Sequence, residues 1–359
     1  MKKLYSVREI EKMIKNGEDL SRIPEGALLT PSAKDLIRQS KGGTQSASAT
    51  VSRSNGGFVA DVPANPDYEY RWVPGKDAKT PEECHNFYYS EEISVLRQRM
   101  SDMGRRMWER EYTDGNGGNL TIRVGDNLVL CTPTLICKGY MKAEDMCLVD
   151  LDGNQLAGKR KRTSEVMTHI AVMKANPAAK SCCHAHPVHA TAFAVSGLQP
   201  PTCMIPEAEV FLGQIGLAEY QTPGSPENAR VVGDAAKEHN SILMLNHGVI
   251  CWGSDIEDAY WKMENTESYC KTIWITMHLS KDPMTITGGQ AKELIGIRKS
   301  LGMNDKRENW EECQLCDNSE FQSGVVTRNN QSSATDSAGE TSHEELVQQI
   351  TGIIMDRLK

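Results

Sequence analysis

A β-strand sends residues i and i+2 to one face, and that rule constrains this chain most tightly at Ser181-Cys182-Cys183-His184-Ala185-His186-Pro187. The small residues and cysteines before His184 read as a buried strand. His184 and His186 then project together, so both imidazoles can reach one divalent ion at about 2.0–2.1 Å. A second apolar run, Ser241-Ile242-Leu243-Met244-Leu245, is again strand-like and delivers Asn246-His247-Gly248 at its C-terminal end, a common location for site residues. Upstream, Thr163-Ser164-Glu165 opens an amphipathic segment, Val166 to Lys174, that stops near Asn176-Pro177. Glu165 therefore falls in the first turn of a helix, 19 residues before His184. Three imidazoles with a displaceable carboxylate form an open zinc site of the kind that polarises a carbonyl as a Lewis acid.

The other histidines lack such a pattern. His189 packs in the helix that follows the strand, and His85, His169, His239, His278 and His343 receive no role. Cys182 and Cys183 read as small buried hydrophobes. Cys313-x-x-Cys316 has no partner pair, which argues against a zinc knuckle and for a reduced pair. Eleven scattered cysteines without a secretory signal point to a reducing, cytoplasmic setting. Met1-Lys2-Lys3-Leu4-Tyr5 carries charge without an apolar stretch, and no segment approaches the roughly 20 apolar residues of a membrane span. A net charge of −8 argues against nucleic acid as a partner. It also gives the basic run Lys159-Arg160-Lys161-Arg162 a possible use in attracting an anionic substrate, although a solvated turn is the plainer reading.

Both ends differ from the middle. Lys41 to Asn55 and Asn318 to Thr341 are rich in Ser, Thr, Gly, Asn or Ala with almost no large apolar groups, and read as disordered linkers. Ser342-His343-Glu344-Glu345 is a capping box, followed by Leu346, Val347, Ile350, Ile353, Ile354 and Leu358 at helical spacing. A helix that short needs a partner for its apolar stripe. The spacing also predicts helices near Ser6 to Lys15, from Asp255 to Leu279 and from Ala291 to Leu301. In the long one, Ala259, Trp261, Met263, Tyr269, Ile273 and Met277 form a core or interface face. Asp67 to Cys84 and Glu308 to Cys316 read as irregular.

In order and spacing these motifs resemble the class II (zinc-dependent) aldolase and adducin-head family over roughly Ser90 to Leu279. Gly118-Asn119-Leu120-Thr121 is similar to the family's Gly-Asn-x-Ser/Thr loop, and Thr132-Pro133-Thr134 with Lys138 to its Thr-Pro-Ser/Thr-Gly loop. The resemblance implies one Zn2+ per subunit on His184, His186 and His247, with Glu165 as the acid/base and the resting ion's fourth ligand. It implies a substrate-phosphate site at Gly118, Asn119, Thr134, Thr163 and Ser164. Leu135 stands where many phosphate-binding members carry glycine, which changes the backbone approach. Pro206 to Gly213 replaces the region that supplies the family's second proton donor; Glu209 is the candidate there and Glu207 its competitor.

The implied fold is α/β, an α/β/α arrangement around a central mainly antiparallel sheet with flexible N- and C-terminal extensions. The implied organisation is a leader at 1–40, a linker at 41–57, an extension packed on the core at 58–89, a catalytic domain at 90–282, a C-terminal extension at 283–317, a linker at 318–341 and the helix at 342–359. The tethered helix resembles encapsulation peptides that bind microcompartment shell proteins; docking on its own core is the alternative. Ile23 to Leu36 resembles a leader found on microcompartment enzymes. The implied activity is zinc-dependent cleavage of L-fuculose or L-rhamnulose 1-phosphate to dihydroxyacetone phosphate and L-lactaldehyde, by a homotetramer in a microcompartment lumen that confines the aldehyde. A pentulose-phosphate 4-epimerase, a sugar-phosphate dehydratase and a non-catalytic adducin-like scaffold remain open.

Overall fold

The computed structural model describes residues 70–280 and 282–318, with 4–5, 7–16, 23–24 and 27–29. The chain divides into two units, Met1–Ala60 and Asp61–Lys359. In the first, β1 (Leu4–Tyr5) pairs in parallel with β2 (Leu28–Leu29) around α1 (Val7–Lys15), whose Ile10 is buried. The helix expected near Ser6 to Lys15 is thus present. The 41–57 linker, most of the 318–341 linker and the 342–359 helix lie outside the described residues, as does most of Ile23 to Leu36.

Among the described residues, the second unit is built on eight strands. In chain order they are β3 (Asn119–Arg123), β4 (Val129–Cys131), β5 (Cys147–Val149), β6 (Gln155–Ala157), β7 (Ser181–Ala185), β8 (Gly216–Ala218), β9 (Ser241–Met244) and β10 (Gly248–Gly253). Their spatial order is β6-β5-β4-β3-β7-β10-β9-β8. Every pairing is antiparallel except that of β8 with β9, so the sheet is mainly antiparallel, as the resemblance implied. β7 is buried along its whole length, as its small residues and cysteines require.

Alternation along the strands sorts the core into two layers. Leu120, Cys183, Leu243 and Cys251 face one side, with α3 (Glu91–Glu109) and α7 (Ile256–Leu279). Cys131, Cys182, Ile242 and Ile250 face the other, with α4 (Val166–Ala175) and α6 (Pro226–Ala235). In α7, Ala259, Met263, Tyr269 and Ile273 are buried as expected, but Trp261 and Met277 are about two-fifths exposed, at 39% and 41%.

Two segments read as irregular are more ordered than their composition suggested. Residues 70–80 form a strap, and α2 (Pro81–Tyr88) follows it, started by a Thr80–Glu83 capping box with proline at its first turn. The Tyr70 hydroxyl donates to the Val124 carbonyl, and the Asp126 carboxylate accepts from Trp72 Nε1 and the Gly75 amide. The strap is thereby tied to the β3–β4 hairpin. At the other end, α8 (Gly288–Ser300) is joined by a 3-10 turn at Lys306–Asn309 and a short helix α9 (Glu312–Leu315). Propensity missed both because local capping and tertiary bonds, rather than periodicity, hold them.

The expected reduced pair at Cys313 and Cys316 needs correction. Cys316 is in a disulfide with Cys203, 113 residues away, while Cys313 is free and exposed. Spacing along the chain could not show this, because the partner lies on a distant loop. The bond fastens the C-terminal extension to the loop before residues 208–212, beside a small core of Cys203, Ala291, Ile295 and Leu315. It also removes the inference from cysteine usage to a reducing setting. Thiol titration of the unfolded, non-reduced chain should count nine free thiols out of eleven; eleven would show the pairing to be absent. Reduction should lower the unfolding midpoint, since closing so long a loop is worth about 4–5 kcal/mol in the chain-entropy account.

Candidate metal centre

His184 shares its strand face with Cys182, which packs in the layer containing Val166 and Ile170 of α4. Strand alternation therefore points His184 at the start of α4, where Glu165 occupies the N-cap position. The antiparallel pairing of β7 with β10 sets Ile250 opposite His184 and Val249 opposite Ala185. The turn before β10 consequently carries His247 to the end of β7. Asn246 adopts φ +55° in that turn, a left-handed conformation that asparagine tolerates better than most residues. Gly248 has no room for a side chain: a Cβ there would meet His186 Cδ2 at 2.5 Å and the Ala185 carbonyl at 2.7 Å.

The three imidazoles converge. Their ring centroids are 4.7–5.2 Å apart, and one nitrogen from each lies within 4.8 Å of the others. His184 Nε2 and His247 Nε2 are 3.5 and 3.6 Å from the two Glu165 oxygens. The outer nitrogens of two rings are already used: His184 Nδ1 donates to the Val249 carbonyl at 2.8 Å, and His186 Nδ1 to Asp114 Oδ1 at 2.8 Å. Each bond fixes its ring with Nε2 as the free electron pair. His184 Nε2 and His186 Nε2 are buried without a hydrogen-bond partner. Burying such atoms unpaired is costly, and a divalent cation is the partner whose chemistry matches imidazole nitrogens beside a carboxylate. The residues fit the metal that the sequence implied.

Their charge states agree with ligation. Burial pushes His184 down to about 3, which leaves a neutral imidazole. Burial alone would raise the Glu165 carboxyl, but the facing histidines and the Asn119 amide outweigh it and hold the group below the usual carboxylate range. Neutral imidazole and carboxylate anion are the forms a metal binds.

The loops expected to hold a phosphate also meet here. Thr134 donates its amide to the Lys161 carbonyl, Thr163 its amide to the Thr132 carbonyl, and Pro133 bridges Arg162. These bonds lace the Thr132–Thr134 loop to the start of α4. Thr163 is buried, Ser164 exposed and Thr134 half-buried. Gly118 has φ +74°, and a Cβ there would sit 2.9 Å from the His184 carbonyl. Leu135, at the glycine-like position, adopts φ +58° and is 79% exposed; the backbone keeps the glycine conformation even though the residue is not glycine. Asn119 is placed differently from expectation, because its amide donates to Glu165 Oε2 at 2.8 Å. Among the basic run, Arg160 pairs with Asp145, and Arg162 donates to the Gly153 and Thr163 carbonyls. Both serve the local fold.

Glu209 does not join the site as a free acid. It is 2% exposed, its Oε1 accepts from the Cys203 amide at 2.6 Å, and its Oε2 pairs with Arg307 at 2.7 Å. Arg307 also bonds both oxygens of Asp305. A carboxylate engaged at both oxygens in this way anchors the C-terminal extension. Sequence spacing could not reveal that, because Arg307 lies 98 residues downstream. Glu207, the competitor, is exposed on the same segment. Sequence reading missed Asp114, whose partner His186 is 72 residues away; a lone acid in a glycine-rich loop gives no signal of its own. A cavity of about 1390 Å³ lies beside α7 and the C-terminal extension, lined by residues including Trp252, Trp261, Lys262 and Arg298. It includes none of the three histidines.

Comparison with known proteins follows the same part of the chain. Residues 98–274 match the family model described as class II aldolase and adducin N-terminal domain. The 3-oxo-tetronate 4-phosphate decarboxylase of Haemophilus influenzae is 35% identical over 182 residues, covering 50% of this chain and 86% of that protein. The L-fuculose phosphate aldolase of Methanococcus maripaludis is 35% identical over 176 residues, covering 49% and 94%. Among solved structures, YgbL of Klebsiella pneumoniae, described there only as an aldolase, epimerase or decarboxylase without a settled choice, has a TM-score of 0.52 at 30% identity, over 56% of this chain and 97% of that one.

Two variants test the geometry directly. His184→Ala should abolish stoichiometric binding of a divalent ion. Gly248→Ala should weaken binding at least tenfold, since its Cβ meets both the His186 ring and the Ala185 carbonyl. Equilibrium dialysis with metal analysis, alongside circular dichroism, reads both; wild-type metal content in either variant would contradict the arrangement.

Proposed function

The chain belongs to the class II aldolase and adducin N-terminal domain family, and from that premise we propose that it is a zinc-dependent lyase that cleaves L-fuculose 1-phosphate or L-rhamnulose 1-phosphate to dihydroxyacetone phosphate and L-lactaldehyde. The observation that carries the reading is the convergence of three imidazoles and the Glu165 carboxylate on one point. A bound Zn2+ would supply Lewis-acid polarisation of the substrate's carbonyl and stabilise the negative charge that develops beside it.

The protein groups have separable tasks. His184, His186 and His247 hold the ion, and the Val249 and Asp114 oxygens keep two of those rings aimed. Glu165 is close enough to the same point to move a proton to and from the carbon next to the carbonyl. The Asn119 amide, donating to Glu165 Oε2, orients that carboxylate. Thr134, Thr163, Ser164 and the Gly118 turn receive the substrate phosphate, helped by the unpaired amides and dipole at the N-terminus of α4.

A second reading keeps the site and changes the bond that breaks: decarboxylation of a 3-oxo-tetronate 4-phosphate. It is favoured by the Haemophilus relative and by the position of Glu209. Loss of CO2 leaves an enediolate that takes up one proton, which comes from solvent and which Glu165 can relay to carbon without a second protein group. Aldol cleavage also needs a base for the substrate hydroxyl, and Glu209 is fully committed to Cys203 and Arg307. In the aldolase reading that second group comes from elsewhere, such as the exposed Glu207 or a neighbouring subunit. The proposal includes a homotetramer, and it assigns 342–359 to shell proteins of a bacterial microcompartment that confines the aldehyde. Among the described residues, no helix is long and apolar enough to cross a membrane.

Purified protein should release dihydroxyacetone phosphate from one of the two ketose 1-phosphates, lose that activity on chelation and regain it with Zn2+. Release of CO2 from 3-oxo-tetronate 4-phosphate with no aldol cleavage would favour the second reading, and neither activity in metal-loaded protein would contradict both. Glu165→Gln should retain the fold and lower turnover by roughly 10²–10⁴-fold, the usual value of a positioned acid/base. Removal of residues 342–359 should leave turnover unchanged and abolish co-purification with shells; shell loading by the shortened chain would overturn the targeting role.

A further inference from the structure

His184 and His186 receive different partners for their outer nitrogens. His184 meets a neutral backbone carbonyl inside the sheet, whereas His186 meets a side-chain carboxylate, Asp114 Oδ1, at 2.8 Å. The backbone reinforces the second contact: the His186 amide donates to the Tyr112 carbonyl at 2.9 Å. Residues 112–114 therefore hold His186 at both main chain and ring. We infer that Asp114 is the positioning residue for His186, fixing its tautomer and strengthening its Nε2 as a ligand; this rests on the metal-centre reading above.

The loop is shaped to present that carboxylate. After α3, Glu111 has φ +60°, Gly115 φ +61° and Gly118 φ +74°, so the chain winds tightly between the helix and β3. The Gly117 amide donates to the Asp114 carbonyl at 3.0 Å, and Lys138 Nζ, buried beneath, donates to the Asn116 carbonyl at 2.7 Å. The backbone is thus secured from two sides. Gly117 leaves the space the carboxylate occupies: a Cβ there would lie 2.1 Å from Asp114 Oδ1. Gly117 has no positive φ to make alanine strained. The inexpensive response to a methyl group at this position is for the Asp114 side chain to swing away, breaking its bond to His186.

A carboxylate on the far nitrogen raises the basicity of a ligating imidazole and holds its plane; removing such a partner typically weakens metal binding 10–100-fold. The Asp114 side chain is 74% exposed, so its electrostatic share is screened by salt. The inference therefore predicts an effect that is larger in dilute buffer and partly retained at high salt, where the hydrogen bond still orients the ring.

The experiment is chelator competition for Zn2+ on the full chain without substrate, at low and high salt, with the absorption spectrum of the Co2+-loaded protein as a second readout. Asp114→Ala should raise the Zn2+ Kd 10–100-fold and shift the Co2+ bands. Asp114→Asn, which keeps an acceptor and loses the charge, should fall between. Gly117→Ala should resemble Asp114→Ala although the acid is intact, and the double variant should be no weaker than Asp114→Ala alone, because both changes remove one contact. Unfolding midpoints of the chelated proteins should match wild type. Wild-type affinity in Asp114→Ala, with wild type itself binding one Zn2+, would overturn this inference and leave the metal centre standing. Fully additive losses in the double variant would overturn the role assigned to the loop. Absence of Zn2+ binding by wild type would overturn both the inference and the metal-centre reading.

Discussion

The pairing of β7 with β10 in the middle of the sheet is the constraint on which the rest of this site depends. That register sets Ile250 opposite His184, brings the Val249 carbonyl to His184 Nδ1 and places the Asn246–Gly248 turn beside His186. A slip of one residue would send every side chain of β7 to the other layer. It is resisted on both sides: Cys183 belongs to the layer of α3 and α7, Cys182 to that of α4 and α6. The buried apolar residues that stabilise the sheet also specify where the polar ones point.

From this register follows a division of labour among elements. Strand β7 supplies His184 and, just past its end, His186; the turn between β9 and β10 supplies His247, the start of α4 supplies Glu165, the first residue of β3 is Asn119, and the glycine-rich turn before it supplies Asp114. The segment that delivers the carboxylate is laced to the neighbouring loop by backbone bonds that join Thr132–Thr134 to Lys161–Thr163. A metal site built this way is preorganised at its ligands while keeping one oxygen ligand displaceable, the arrangement expected of catalytic rather than structural zinc.

The strand character of Ser181–Ala185 and Ser241–Met244 and the neighbouring placement of His184 and His186 were legible in sequence because period-2 spacing is local. Glu165 was legible because a helix start is local too. The contacts that surround them were not. Glu209 was read as a proton donor from its position in the motif order, and its actual partners, Cys203 and Arg307, lie on other elements. Cys316 was read with its neighbour Cys313 rather than with Cys203. Asp114 had no signal because its meaning comes from His186, 72 residues on. In each case a local pattern could not report a bond made between distant parts of the chain. The order found at 70–88 and 306–315 was missed because capping boxes and side-chain bonds hold it.

The central claim is that three imidazoles and one carboxylate of this chain bind a single catalytic metal. The X-ray absorption spectrum of the Zn2+-loaded protein at the zinc edge tests it most directly. The account predicts one ion per chain with three imidazole nitrogens and an oxygen donor at about 2.0–2.1 Å, and no sulfur despite eleven cysteines. A sulfur shell near 2.3 Å, or a six-coordinate spectrum with fewer than three imidazoles, would contradict it.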